Sequence, residues 1–405
     1  MSTPRLSIVL MTCMSLIGYC LTATLAAQLT LTPEGTALVR VLKTTPAQAD
    51  WFAPEFLAQV QPSQIDQIVK QYTGQFGPFQ HAEGSAPSFN VYLERGTFPA
   101  KIVLNADGKI SGLWFGLAEP LKPVSLDDTV GSFAKLPGKV SVTVLEEGKP
   151  RASLHPDDPL AVGSAFKLAI LNALTEQSSK HPPSEVVPLR PEWKTLPTGV
   201  LQTWPDGTPL TIATYALDMI SISDNTAADA LLSIGGRDAV ERFAPRNKPF
   251  LSVSQAMTLK ARSNSAVLTR YRAADEAARR NMLKEIDDLP APKLEDIGAN
   301  GDPSATDIEW FFTANELCSL IARVASSPAM RVNPGLAKPE DWQQIAFKGG
   351  SEGGVLNLTT ALTGKNGKHY CVAATWNNTA ALSETQFYTP YNQILSSLAK
   401  ESKGK

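Results

Sequence analysis

The chain has 405 residues, 43% of them hydrophobic, and carries 37 basic against 39 acidic side chains for a formal charge of −2. It is too long for one ordinary core and is expected to divide into two or three domains, at roughly 150 residues each. Near-neutral charge without a basic block excludes a protein built to track a nucleic-acid backbone.

Residues 1–27, MSTPRLSIVLMTCMSLIGYCLTATLAA, place one arginine ahead of an apolar run from Leu6 to Leu21 and a tail of small residues. That is the shape of a secretory signal peptide, with cleavage expected near Ala26 or Ala27. The run is short for a retained bilayer anchor, and the bulky Tyr19 argues against lipid modification at Cys20. A secreted or periplasmic protein without a stable membrane span is the expectation.

Residues 28–123 predict a small α+β domain. Helical periods run through residues 45–75, as in PSQIDQIVKQYTGQF. Alternating runs follow in SFNVYLERG and FPAKIVLNADGKISGLWFG, the second broken by the turn signal Asn-Ala-Asp-Gly-Lys. AEPLKPVSLDD, with two prolines and mixed charge, reads as a linker to a second domain over residues 129–402.

There GKVSVTVLEEGKPRASL predicts a strand pair, the apolar run after Ser164 a helix of three to four turns, and further helices begin at Thr211 and Thr226. TANE at Thr313 spells a capping box. Toward the end, QQIAFKGGSEGGVLNLTTALTGKNGKHYCVAATWN reads as strands and YTPYNQILSSLAKE as a closing helix. Strands at both ends with helices between them imply an α+β domain whose terminal segments share an antiparallel sheet. With the signal removed, the cysteines are Cys318 and Cys371; one bridge and two buried thiols both fit.

Three short stretches carry chemistry. In LAVGSAFKLAILNAL, Ser164 and Lys167 stand three apart, so their side chains share a helical face. Ser164 follows Gly163 at the helix start, where free N–H groups favour a developing oxyanion, and Lys167 is half-buried and so biased toward the neutral amine a base requires. A serine at a helix start is ordinarily a cap, and the same spacing recurs at Ser132–Lys135 and Ser397–Lys400 in settings that need no chemistry. The second stretch is MISISDNTAADALL, with Ser223, Asp224 and Asn225 between helical runs. In the third, AFKGGSEGGVLN, Lys348 ends a strand run and Gly349 and Gly350 permit close approach of a ligand or another backbone.

In this order the three stretches resemble the Ser-x-x-Lys, Ser-Asp-Asn and Lys-Thr-Gly signature of serine β-lactamases of class A and penicillin-binding proteins. Lys-Gly-Gly stands here for the third element. The resemblance covers roughly residues 130–400 and implies a β-lactamase/transpeptidase-like catalytic domain, an antiparallel sheet plus a helical subdomain, preceded by the small α+β domain. The added first domain with DGKISGLWF is similar to that of two-domain serine hydrolases carrying a small cystatin-like or NTF2-like unit.

Carried over residue by residue, the resemblance makes Ser164 the acylated nucleophile and Lys167 its base or proton relay. Ser223 would pass a proton to the leaving group, while Asn225 would hold the substrate amide and the lysine. Lys348 would offer positive charge to a substrate carboxylate, and the backbone N–H groups of Ser164 and Ser351 would form the oxyanion hole, with Gly349 and Gly350 along the substrate strand. The pattern departs from class A in one place: between Asn225 and Lys348 no Glu-x-x-Leu-Asn stands to hold a deacylating water, and Glu295, Asp296 and Asp302 lie nearest the right place. Acylation is therefore better supported than turnover. The substrate is expected to be a small β-lactam, or an ester or D-Ala-D-Ala peptide opened by the same nucleophile; a cell-wall-binding protein without turnover is the remaining reading.

Two other chemistries are weak. Gly349-Gly350-Ser351-Glu352-Gly353 matches the Gly-x-Ser-x-Gly elbow of α/β-hydrolases, but no aspartate follows it before His369. His81, His155, His181 and His369 are scattered without metal-ligand spacing, so no metal or cofactor is expected.

Overall fold

The computed structural model describes residues 32–296 and 305–404; the expected signal peptide and Asp302 lie outside them. Prolines open the first two long helices at the position where a missing N–H costs nothing: α1 (Pro33–Lys43), capped by Thr32, and α2 (Pro62–Phe76), where Gln61 and Gln64 form a reciprocal capping box. Their buried faces, with Leu38, Val41, Val69 and Tyr72, cover an antiparallel meander of β1 (Phe79–Ser85), β2 (Ser88–Leu93), β3 (Gly96–Leu104) and β4 (Ile110–Phe115). The residues of this cluster all fall between Ala37 and Ala118. Within residues 45–75 the expected helix is realised as a 3₁₀ turn (Ala49–Trp51), a single α-helical turn (Pro54–Leu57) and α2 from Pro62, and α1 precedes them. Strand β1 has no alternating apolar pattern, burying only Ala82 of its seven residues, because it is a sheet edge.

Ser125 caps α3 (Leu126–Ser132) and opens the larger unit. A hairpin of β5 (Lys139–Glu146) and β6 (Lys149–Leu154) leads through the two-residue β7 (Leu160–Ala161) into α4 (Lys167–Glu176), α5 (Ile212–Ser221), α6 (Asn225–Gly235) and α7 (Val253–Lys260). Then come α8 (Ser265–Ala273) and α9 (Glu276–Asp287), β8 (Phe311–Phe312), α10 (Ala314–Val324), strands β9 (Trp342–Glu352), β10 (Val355–Gly364) and β11 (His369–Asn377), and α11 (Glu384–Ser402). The capping box at Thr313 forms, with Thr313 and Glu316 each holding the other's backbone N–H.

The strands make one antiparallel sheet in the order β9-β10-β11-β5-β6, so chain start and end share it. Helices α3 and α11 cover one face through Val130, Phe133, Phe387, Tyr391 and Leu398. The other face presents Ala346, Ala361 and Ala373, small enough for the helical body to approach closely. Cys318 of α10 and Cys371 of β11 are joined there by a disulfide. Helices α8 and α9 show only a weak pattern in the sequence: each fully buries one residue, Tyr271 and Ile286, while Val267, Leu268, Met282 and Leu283 pack half-buried on the core.

Candidate active site

The nucleophile segment is fixed from three sides. Asn377 at the end of β11 clips β7 through both edges of its amide, accepting from Ala161 N and donating to Ala161 O, each at 2.9 Å. β7 pairs with β8, and Val162 N donates to Trp310 O at 3.0 Å, extending that ladder by one rung. Phe166 then stacks on Trp310 with ring centroids 3.8 Å apart. Gly163, at φ +50°, turns the chain into a 3₁₀ turn (Gly163–Phe166), and regular α-helix starts only at Lys167. Ser164 therefore lies one tight turn ahead of α4 rather than at its first residue. It is half-buried.

Strand β9 runs against this turn at a distance only glycine permits. A Cβ on Gly350 would lie 2.1 Å from Val162 O and 2.6 Å from Ser164 N, and one on Gly163 would lie 3.0 Å from Ser351 N. The backbone N–H groups of Ser164 and Ser351 are thereby drawn to one place.

The Ser-Asp-Asn turn is organised by its aspartate. Asp224 caps α6 through Ala227 N at 2.8 Å and accepts from Val200 N at 2.7 Å and Leu201 N at 3.0 Å. Ser223, just before the cap, sits at φ +59°, a conformation that costs a non-glycine residue on the order of 1 kcal/mol or more. That geometry turns its hydroxyl toward two buried lysines. Lys167 Nζ donates to Ser223 O at 2.6 Å and to Asn225 Oδ1 at 2.7 Å, with Ser223 Oγ at 3.2 Å. Lys348 Nζ donates to Ser223 Oγ at 3.1 Å and Gly349 O at 2.6 Å.

Burial, and then the nearby Lys348, hold the Lys167 amine well below the usual lysine range; Asp224 and Asp229 oppose them. Burial lowers Lys348 to about 7. Behind the turn, Asp229 joins α6 to the start of α7, accepting from Val253 N at 2.7 Å, Ser254 N at 2.9 Å and Thr195 Oγ1 at 2.8 Å. A neutral amine at Lys167 is compatible with every contact: two N–H groups serve the carbonyl oxygens of Ser223 and Asn225, and the lone pair stays available for a hydroxyl proton.

The structure thus gathers Ser164, Lys167, Ser223, Asn225, Lys348, Gly349, Gly350 and Ser351. The other Ser-x-x-Lys copies lie elsewhere: Ser132 ends α3 with its hydroxyl on Thr129 O, and Ser397 belongs to α11. Glu295 and Asp296 occupy a 3₁₀ turn (Leu294–Asp296), the former exposed. Lys260, Glu309 and Glu352 carry no grouping signal in the sequence, yet they meet as an ion cluster, Lys260 and Glu309 buried and Glu352 partly exposed. No residue spacing marks them, since each comes from a different element. Among the described residues no group of three or more His, Cys, Asp or Glu could hold a metal ion, and no helix is long and apolar enough to cross a membrane.

Residues 125–401 match the Beta-lactamase enzyme family. Solved structures similar to the chain include a β-lactamase from Sphaerobacter thermophilus, at 18% identity and TM-score 0.47 over 69% of this chain and 97% of that one. PBP-A aligns at 17% identity and TM-score 0.47 over 71% and 99%. A β-lactamase from Desulfarculus baarsii aligns at 18% identity and TM-score 0.47 over 68% and 98%. A search of curated proteins returned no match.

Proposed function

Because the chain belongs to the beta-lactamase enzyme family, we propose that it is an exported serine hydrolase of the class A type, acylated at Ser164 by a β-lactam. The observation that carries this reading is the convergence of Lys167 and Lys348 on the hydroxyl of Ser223, next to the segment bearing Ser164. The leader-like residues 1–27 support export.

In the acylation step, Ser164 Oγ passes its proton to the neutral amine of Lys167 and attacks the lactam carbonyl carbon. The oxyanion is held by the N–H groups of Ser164 and Ser351; losing one such donor commonly slows a reaction on the order of 100-fold or more. When the C–N bond breaks, the leaving nitrogen takes the proton of Ser223 Oγ, which Lys167 replaces. Lys348 attracts the substrate carboxylate, and Asn225 holds the substrate amide and orients Lys167.

Hydrolysis of the ester then needs a positioned base. With no Glu-x-x-Leu-Asn setting in the chain, this second step is slow, since losing such a base commonly costs about 10²- to 10⁴-fold. Mass spectrometry after mixing with a penicillin is expected to show one adduct per chain, on Ser164, and a chromogenic cephalosporin a burst near one equivalent followed by slow turnover. Ser164→Ala should abolish the adduct while Ser132→Ala and Ser351→Ala retain it; an adduct persisting on the Ser164→Ala protein overturns the mechanism.

A further inference from the structure

Resting on that reading, we propose that Lys260, Glu309 and Glu352 form a clasp that sets the separation of the two oxyanion N–H groups, the two carboxylates holding one proton between them. The clasp ties together three elements. Lys260 ends α7, and its ammonium, 1% exposed, reaches both Glu309, whose side chain is 0% exposed, and Glu352 at 2.7 Å. Glu352 is the residue after Ser351 at the end of β9. Glu309 precedes Trp310, whose carbonyl accepts from Val162 N, so continuing the β7–β8 register sets Glu309 alongside Gly163, the residue before Ser164. One carboxylate thus adjoins each proposed oxyanion donor, and one ammonium bridges the carboxylates.

The proton count follows from burial. Glu309 Oε2 is buried without a hydrogen-bond partner among the described residues, and an ionised oxygen left so would be costly. Glu309 is fully buried whereas the Glu352 side chain is 24% exposed, so of two carboxylates this close the buried one takes the proton. Burial, with Glu352 nearby, pushes Glu309 well above the usual carboxylate range against the pull of Lys260. Glu352 is held below that range although burial opposes it, by its bond to Glu309 and by Lys260. Lys260 stays charged: burial pulls it down, but its contacts with the glutamate pair, which carries one negative charge, outweigh that. Among the described residues a further charged group nearby is Asp307 on the Glu309 segment, held at 2.6 and 2.7 Å by Arg272 of α8. The cluster is therefore neutral as a whole. Removing its cation, or its proton, would place net negative charge where the oxyanion develops. These are positioning residues, because they act through the backbone of Gly163–Ser164 and Ser351.

The test uses a fluorophosphonate, which needs a nucleophile and an oxyanion pocket but no β-lactam recognition, on the full-length protein. Lys260→Met is expected to slow phosphonylation of Ser164 roughly ten- to hundredfold, the scale of a misplaced reacting geometry. Lys260→Arg, which keeps a bridging cation, is expected to retain most of the wild-type rate, whereas the neutral Lys260→Met, Glu309→Gln, Glu352→Gln protein, with no ion pair left to tie the elements, is expected to stay slow. Equilibrium unfolding supplies the second measurement. Folded Glu309 keeps its proton and unfolded Glu309 loses it above about pH 5, so stability falls as pH rises through that window. The unfolding constant of wild type relative to Glu309→Gln should then rise about tenfold per pH unit.

Unchanged phosphonylation in Lys260→Met, full recovery in the neutral triple variant, or parallel pH-stability curves for wild type and Glu309→Gln would each overturn the clasp. Should Lys260→Met fail to fold, the Glu309→Gln curves decide. Wild type that is phosphonylated but takes no penicillin removes the β-lactam reading and leaves the clasp to be judged on these measurements; wild type inert to both reagents removes both.

Discussion

Lys348 sits where two demands on charge conflict. In the proposed mechanism its positive charge attracts a substrate carboxylate; it also depresses Lys167, yet burial lowers it to about 7. As pH rises, Lys167 loses its proton and gains basicity, so acylation climbs; above about 7 Lys348 loses its own proton and the carboxylate loses its partner. A bell-shaped dependence of the second-order acylation rate is expected for a penicillin, while an analogue whose carboxylate is esterified should keep the acid limb and lose the alkaline one. Identical profiles for the two would remove Lys348 from carboxylate recognition. At this scale the sequence offers Ser164, Lys167, Ser223, Asn225 and Lys348 as candidates, because short-range spacing on a helix start, a turn and a strand is written directly in the chain. Lys260, Glu309 and Glu352 are spread over 93 positions and meet only through tertiary packing, which spacing does not encode.

Among elements, α10 and β11 are joined covalently by the bridge between Cys318 and Cys371. With a sequence separation of 53, the chain-entropy argument assigns the crosslink about 4 kcal/mol, or on the order of 10 °C in melting temperature. A reductant is expected to lower the melting temperature of wild type by that order and leave a Cys318→Ala, Cys371→Ala protein unmoved. Equal insensitivity of both would mean that the thiols do not pair in solution. Strongly patterned elements are legible before folding: the β5–β6 hairpin, α5, the capped α10 and the closing α11 all follow from periodicity and caps. The edge strand β1 and the shallowly buried α8 and α9 are not, since an element that buries little has little pattern to show.

Over the whole chain, we propose that residues 28–123 form an accessory domain on a hinge narrower than the sequence suggests. Glu119 and Pro120 pair with Gly96 and Thr97, and Ser125 already caps α3, leaving Leu121–Val124 exposed between them. A nonspecific protease should cut first within residues 121–124, and a fragment starting at Val124 should keep penicillin labelling; a fragment that does not fold would make the first unit part of the catalytic core. Between the units, Gln71 of α2 donates to Ser383, just ahead of α11, at 2.8 Å.

The positive φ of Ser223 bears on how robust the molecule can be. Glycine adopts that conformation without steric cost, so Ser223→Gly should raise the melting temperature by the relief of about 1 kcal/mol, even as it removes the hydroxyl on which both lysines converge. A lowered melting temperature would show that the hydroxyl contacts outweigh the backbone strain. If the variant is sturdier but inert, durability and activity compete for a single side chain, and a directed search for heat-resistant variants would drift toward proteins that survive well and do nothing.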